Sequence, residues 1–220
     1  MCFSAQADLL GGLVVGAIGI DVVRNVDHRS RLGLLAALPL LLAAHQLDEA
    51  VVWWALQGRV AWEVGRVAVW IYLLFAFVVL PVYVPVAVLV LEPPGRRRRI
   101  MAPFVALGVL VAAILLVAMV RGPVSATLGD YHIAYSTGLG AGGVIVALYV
   151  VAVCGSMLLS SYQDVAIFAI VNLIAVAALA RLTLDGLASL WCGWAAVTSG
   201  AIALHVRYAG RRGQLPQAMT

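Results

Sequence analysis

The chain of 220 residues contains no lysine, so its positive charge comes entirely from 14 arginines. A cofactor held as a Schiff base, such as retinal, needs a lysine amine, and the sequence excludes that class of protein. Charged residues of every kind are scarce, at 11%, whereas hydrophobic residues make up 64%. Ordinary globular chains have roughly 25% charged and about 45–50% apolar residues. This composition predicts a protein whose main solvent is the lipid bilayer.

Cysteine is also rare, and its three positions, Cys2, Cys154 and Cys192, lack the close pairing of a zinc ribbon or a redox Cys-x-x-Cys motif. Cysteine alone therefore predicts no metal. The net charge of +4 is carried by arginines in short loops between apolar runs. Because basic loops of this kind set the orientation of membrane proteins, we expect no nucleic-acid partner.

Seven apolar runs account for nearly the whole chain, and a spanning helix needs about 20 mostly apolar residues. The predicted spans are residues 9–23, 32–56, 67–91, 100–120, 134–159, 165–184 and 187–206. Only short loops and a tail remain outside them. We therefore predict a single integral membrane domain over residues 1–220, an all-α bundle of seven transmembrane helices.

The arginines are unequally divided between the two sides of these spans. Ten lie on one side, in the loops 24–31 and 92–99 and in the tail after residue 206, and four lie on the other. Because arginine-rich loops stay in the cytoplasm, this pattern predicts an external N-terminus and a cytoplasmic C-terminus.

Two glycine pairs, Gly12 with Gly16 and Gly138 with Gly142, have the small-xxx-small spacing that lets membrane helices approach closely. We interpret both pairs as packing features of predicted spans.

Three ionisable residues, His45, Asp48 and Glu49, lie within five positions of the second predicted span. An ionisable side chain at membrane depth is costly unless it is paired, solvated or bound to a metal, so such residues are functional candidates. Positions i and i+4 of a helix are neighbours on one face. The spacing therefore places His45 and Glu49 on a shared face, with Asp48 beside them and Trp53 one turn beyond.

This face suits either of two chemistries. A His and a carboxylate one turn apart can bind a divalent metal, zinc or iron, or can act as a proton-transfer pair. His132, in the outer loop before the fifth predicted span, would complete a two-His, one-carboxylate set with His45 and Glu49. Glu49 or Asp48 would then handle the proton of a metal-bound water. A buried His–Glu hydrogen bond and a transport pathway remain open alternatives.

Three further candidates lie near the ends of the chain. Cys2 and Cys192 both map to the outer side in the predicted topology. They could form a disulfide; Cys2 could instead bind metal or act as a nucleophile, or remain a buried thiol. His205 lies near the inner end of the last span, where it could cap a helix C-terminus or contact headgroups.

Several motifs along the chain resemble those of a known family. They are Met1-Cys2-Phe3-Ser4-Ala5, His45-Gln46 with Glu49 and Trp53, Glu92-Pro93, and Ser189-Leu190-Trp191-Cys192 with Ala195-Ala196, Ser199 and His205. On these residues the chain resembles an uncharacterised family of small bacterial multi-span membrane proteins that begin Met-Cys-Phe-Ser-Ala. The resemblance covers essentially the whole chain and implies a multi-pass protein of the bacterial cytoplasmic (inner) membrane. It also implies that Cys2, His45, Glu49, Cys192 and His205 are site residues, but it supplies no activity.

The sequence thus leads us to expect an integral membrane protein with a buried His/carboxylate site. A metal-dependent membrane enzyme acting on a lipid or other apolar substrate is the leading hypothesis. The alternatives are a non-catalytic accessory subunit of a membrane complex, a proton-coupled transporter, and a thiol redox protein using Cys2 and Cys192. The expected partners are the lipid bilayer and either another membrane protein or further copies of this chain.

Overall fold

The computed structural model describes residues 4–26, 31–129, 132–138, 142–182, 194 and 197–203. The helices are α1 (Ala5–Arg24), α2 (Gly33–Leu56), α3 (Trp62–Leu74), α4 (Leu80–Leu91), α5 (Arg96–Arg121), α6 (Gly142–Leu158) and α7 (Gln163–Leu182). A π-helical turn, Phe75–Val79, joins α3 to α4 without a break. Two short strands, β1 (Ser125–Leu128) and β2 (Ile133–Ser136), follow α5. Residues 197–203 are also helical.

Four helices are long and apolar enough to cross a membrane. They are Ala5–Arg24, Gly33–Leu56, Trp62–Leu91, which includes the π-helical turn, and Arg96–Arg121. These helices confirm the first four predicted spans as apolar helices of spanning length. The apolar stretches of α6 and α7 are shorter, at 142–158 and 163–178. That α6, α7 and the last predicted span cross the membrane therefore stays a prediction. The orientation of the chain in the membrane also stays a prediction.

The sequence prediction is wrong at the start of the fifth span, where residues 133–136 form a strand. β1 and β2 pair antiparallel, with Ser125 opposite Ser136 and Leu128 opposite Ile133. Gly138 then adopts a φ of +70° that other residues rarely take, and the next described helix is Gly142–Leu158. Hydropathy alone missed this because an apolar strand merges with the apolar helix after it. The fold is therefore not purely α, and Gly138 with Gly142 is not a helix-packing pair.

α1 lies against α2 through a single buried stripe. The stripe consists of Ala5, Asp8, Gly12, Val15, Gly19 and Val22. A Cβ added at Gly12 would lie 2.8 Å from Leu47, and one added at Gly19 would lie 2.8 Å from Leu40. These contacts confirm that Gly12 is a packing residue and give the two helices an antiparallel register.

Pro81 shapes the junction of the π-helical turn with α4. In the π-helical turn the backbone hydrogen bonds join residues i and i+5, and the Leu80 N–H donates to the Phe75 carbonyl. The next carbonyl, that of Ala76, would accept from residue 81, but Pro81 has no N–H. The Tyr149 hydroxyl of α6 donates to this carbonyl instead, at 3.0 Å. Pro81 thus frees a backbone acceptor that a neighbouring helix satisfies.

A buried polar contact attaches the last described residues to α7. Trp194 Nε1 donates to Asn172 Oδ1 at 2.7 Å, and Asn172 Nδ2 donates to Cys154 Sγ of α6 at 3.5 Å. Thr198 Oγ1 donates to the Trp194 carbonyl at 3.0 Å, as a helical side chain can to the residue one turn before it. Trp194 therefore lies beside the α6–α7 pair.

Candidate functional site

α2 buries a polar face inside the bundle. His45, Gln46 and Glu49 are all buried, and Glu49 has no exposed surface at all. They share the helix with buried apolar residues such as Ala43 and Val52. The sequence prediction that His45 and Glu49 face the interior together is confirmed by their burial.

The His45 ring is held in a stack of aromatic rings. Its centroid lies 4.1 Å from that of Tyr72 at an interplanar angle of 19°, and 4.6 Å from that of Phe75 at 28°. Tyr72 stacks in turn on Tyr135 at 4.4 Å and 13°. The column therefore runs through α2, α3, the π-helical turn and β2, and it fixes the plane of the imidazole.

The Nδ1 atom of His45 is buried and has no hydrogen-bond partner within the part of the chain that the structure describes. A buried polar atom without a partner costs about 1–3 kcal/mol, so such an atom calls for an explanation. The His–Glu hydrogen bond that the sequence left open is not made through this nitrogen. One oxygen of the half-buried Asp48 carboxylate, Oδ2, is likewise buried without a partner among the described residues.

Asp8 of α1 is a further buried acid that the sequence prediction did not include among its site residues. It is 1% exposed and is the only charged member of the stripe that packs on α2. The register set by Gly12 with Leu47 places Asp8 near the level of Glu49. Its spacing of four residues from Gly12 could have revealed it, because positions i and i+4 share a helix face. The predicted first span began too late, at residue 9, to include it.

The β-hairpin packs against the end of α2 beyond Glu49. Ile133 and Tyr135 of β2 are buried in one apolar cluster with Ala5, Val52 and Trp53. Trp53, one turn beyond Glu49 on α2, is part of this core. The hairpin and the start of α1 therefore close this end of the polar face.

His132 lies at the hairpin turn, where its carbonyl accepts a 2.8 Å hydrogen bond from the Gly129 N–H. Its ring lies over Gly129, since a Cβ added there would be 3.0 Å from His132 Cε1. Tyr135, three residues further along the strand, stacks on Tyr72 rather than on His45. Among the described residues, no group of three or more His, Cys, Asp or Glu side chains is placed to hold a metal ion. The structure thus does not assemble His45, Glu49 and His132 into one ligand set.

Cys2, Cys192 and His205 lie outside the described residues. Their predicted roles, including a Cys2–Cys192 disulfide, stay predictions.

A second buried glutamate, Glu92, lies at the other end of the bundle and has hydrogen-bond donors for both carboxylate oxygens. It accepts hydrogen bonds from Ser160 Oγ at 3.3 Å, from Ser161 N at 3.0 Å and from Ser161 Oγ at 2.5 Å. Burial and the Glu92 carboxylate raise the pKa of Tyr162, and Arg31 opposes this change. We call Glu92, Ser160, Ser161 and Tyr162 the Glu92 clamp, because they tie the end of α4 to the α6–α7 turn.

The comparisons with known proteins give a family but no activity. No curated protein and no solved structure matches the chain. One family model covers nearly all of it, from residue 1 to residue 218, which confirms the expectation of an uncharacterised family. The chain therefore belongs to a family of unknown function, DUF6629.

Proposed function

We propose that this protein is a metal-dependent membrane enzyme acting on a lipid or another apolar substrate. His45, through Nδ1, and Glu49 are the ligands that α2 contributes to a divalent cation, zinc or iron. Water or substrate and residues from other parts of the chain fill the remaining coordination positions. A catalytic metal site needs such an open position.

The observation that carries the proposal is the buried, partnerless Nδ1 of a histidine whose ring is fixed by Tyr72 and Phe75. Metal-binding histidines depend on neighbouring groups to hold the ring in one orientation. Cβ atoms at i and i+4 are about 5–6 Å apart, a spacing that lets His45 and Glu49 reach one ion. A neutral imidazole nitrogen and a carboxylate oxygen are common ligands for zinc and for non-haem iron.

The surroundings of this face favour an apolar substrate. α2 is long and apolar enough to cross a membrane, and the hairpin packs over one end of its polar face. A substrate that partitions into the bilayer could approach between helices without passing through water. A bound metal would lower the pKa of a coordinated water, and Asp48 or Glu49 would accept its proton.

Proton-coupled transport is the second candidate, and burial of Asp8 near the level of Glu49 favours it. Two carboxylates from different helices inside a membrane protein are typical of proton relays. This function requires no metal. A non-catalytic accessory subunit also requires none and would instead copurify with a partner protein.

Elemental analysis of the detergent-purified protein by mass spectrometry separates these functions. We expect about one zinc or iron per chain in the native protein and in the matched control His132→Ala, but little metal in His45→Ala and Glu49→Gln. Equal metal content in the native chain and in a folded His45→Ala would contradict the proposal. Absence of metal from all of them would favour proton transport, which predicts a pH-dependent flux abolished by Glu49→Gln.

A further inference from the structure

One end of the bundle carries a concentration of arginines, which we call the arginine rim: Arg24, Arg31 and Arg96–Arg99. Arg24 lies in the last turn of α1, and Arg31 lies just before α2, which runs antiparallel to α1. Arg31 acts electrostatically on Tyr162, as does Glu92, which places the start of α5 at this same end. The rim therefore gathers charge from three parts of the sequence.

Arg96–Arg99 have no carboxylate partner in the described portion of the chain. The acid nearest to them in sequence, Glu92, is 2% exposed and is held by Ser160 and Ser161 in the Glu92 clamp. Three of the four arginines are exposed and Arg98 is half-buried. Their charge is therefore directed outward, at the boundary where the apolar run beginning at residue 100 enters the membrane.

The position of these arginines is electrostatically unfavourable for the helix itself. α5 begins at Arg96, has no acidic residue in its first turn and has no side-chain cap at Gly95. The helix macrodipole places positive charge at this terminus, where cations are disfavoured and anions are stabilised. Orientation of the protein would be served as well by arginines anywhere in the preceding loop. Four guanidinium groups and the free backbone N–H groups of the first turn together suit a phosphate oxyanion.

We propose that the first turn of α5 is a binding site for the headgroup phosphate of anionic phospholipids. The phosphodiester accepts hydrogen bonds from the guanidinium groups and from the uncapped backbone N–H groups, while the acyl chains lie along the exposed apolar face of α5. That face includes Val109, Leu110, Val117 and Val120, each at least 49% exposed. The lipid thus matches both the charge and the apolar surface that follows it.

Native mass spectrometry of the full chain in neutral detergent, titrated with phosphatidylglycerol or phosphatidylcholine, tests this site. We expect the native protein to prefer phosphatidylglycerol. Replacement of all four residues Arg96–Arg99 by Gln should lower its affinity for that lipid by about tenfold or more, with little change for phosphatidylcholine. The matched control replaces Arg59, Arg66 and Arg121, exposed arginines near the opposite ends of the helices, and should keep the preference.

Two double variants guard against misfolding of the quadruple variant: Arg96→Gln with Arg97→Gln, and Arg98→Gln with Arg99→Gln. Each should lose a part of the preference, about threefold or more. The proposal would be overturned if the folded Arg96–Arg99 variants kept the native preference for phosphatidylglycerol. It would also be overturned if the control variant lost as much of that preference. Full displacement of phosphatidylglycerol by millimolar inorganic phosphate would also overturn it, because the site would then take a free anion rather than a lipid. The outcome does not depend on the metal content of His45 variants.

Discussion

The protein buries two polar groups, the Glu92 carboxylate and the His45 imidazole, in contrasting ways. Glu92 lies at the arginine-rich end, where hydroxyl and backbone donors of the α6–α7 turn supply three hydrogen bonds. Glu49 lies on the face of α2 beside His45, whose Nδ1 has no partner in the described structure and whose ring is clamped by aromatic neighbours. Glu92 and His45 are both buried, but among the described residues the Glu92 oxygens have hydrogen-bond partners and His45 Nδ1 has none.

This contrast separates structure from function. A buried carboxylate with a full set of donors contributes to stability, because its charge is compensated by hydrogen bonds. A fixed imidazole with a partnerless nitrogen costs stability, and such a cost is typical of a site prepared for a ligand. The Glu92 clamp should thus respond to mutation through stability, and the His45 face through ligand content.

The largest stability effect should come from Glu92→Ala. This change removes the acceptor of three hydrogen bonds and leaves Ser160 and Ser161 with unpaired donors, so we expect a loss of about 3 kcal/mol or more in the free energy of unfolding. Denaturation of the detergent-purified protein measures it. The control Glu63→Ala, at an exposed position in the first turn of α3, should cost no more than about 0.5 kcal/mol. Equal losses of unfolding free energy in Glu92→Ala and Glu63→Ala would show that the Glu92 clamp does not stabilise the fold.

An intermediate effect should come from Gly108→Ala in α5. Pro85 supplies no N–H to the Pro81 carbonyl, and a Cβ at Gly108 would overlap that carbonyl oxygen. Because the backbone must shift, we expect a loss of about 2 kcal/mol. Gly142→Ala is the matched control, since its Cβ would meet nothing within 4 Å. Thermal unfolding of the two variants side by side should show a lower midpoint for Gly108→Ala alone.

The smallest effect should come from Tyr149→Phe. The variant leaves the Ala76 carbonyl in the π-helical turn without its donor, and one such hydrogen bond contributes about 1 kcal/mol. The same unfolding assay measures the loss. Since the turn also holds Phe75 against His45, metal content should be measured in parallel. A variant as stable as the native chain would show that water or another donor replaces the hydroxyl.

Much of the helical framework could be predicted from the sequence. Runs of apolar residues give the first four helices because an unpaired backbone is not tolerated in lipid, so apolar length and helix coincide. The hairpin could not be predicted in this way, since Ile133 and Tyr135 are as apolar as a helix would require. The strand ends at Ser136, and Gly138 beyond it adopts a left-handed backbone.

The site was predictable only in part. The spacing of His45 and Glu49 gave the buried face, because one helix has a fixed period. The aromatic stack around His45 was not predictable, because its rings come together only through packing between separate elements. These rings belong to Tyr72, Phe75 and Tyr135. The π-helical turn shifts the register of the residues after it on the helix, and no sequence pattern predicted this turn. Glu92 was visible as a motif residue, but its partners lie on a distant turn.

The contrast between His45 and the Glu92 clamp is tested most directly by measuring metal content and unfolding free energy together for His45→Ala and Glu92→Ala. The account predicts that His45→Ala loses the metal while keeping its fold in the metal-free state, whereas the folded fraction of Glu92→Ala is less stable and retains the metal. A His45→Ala protein that keeps its metal, or a Glu92→Ala protein as stable as the native chain, would contradict it.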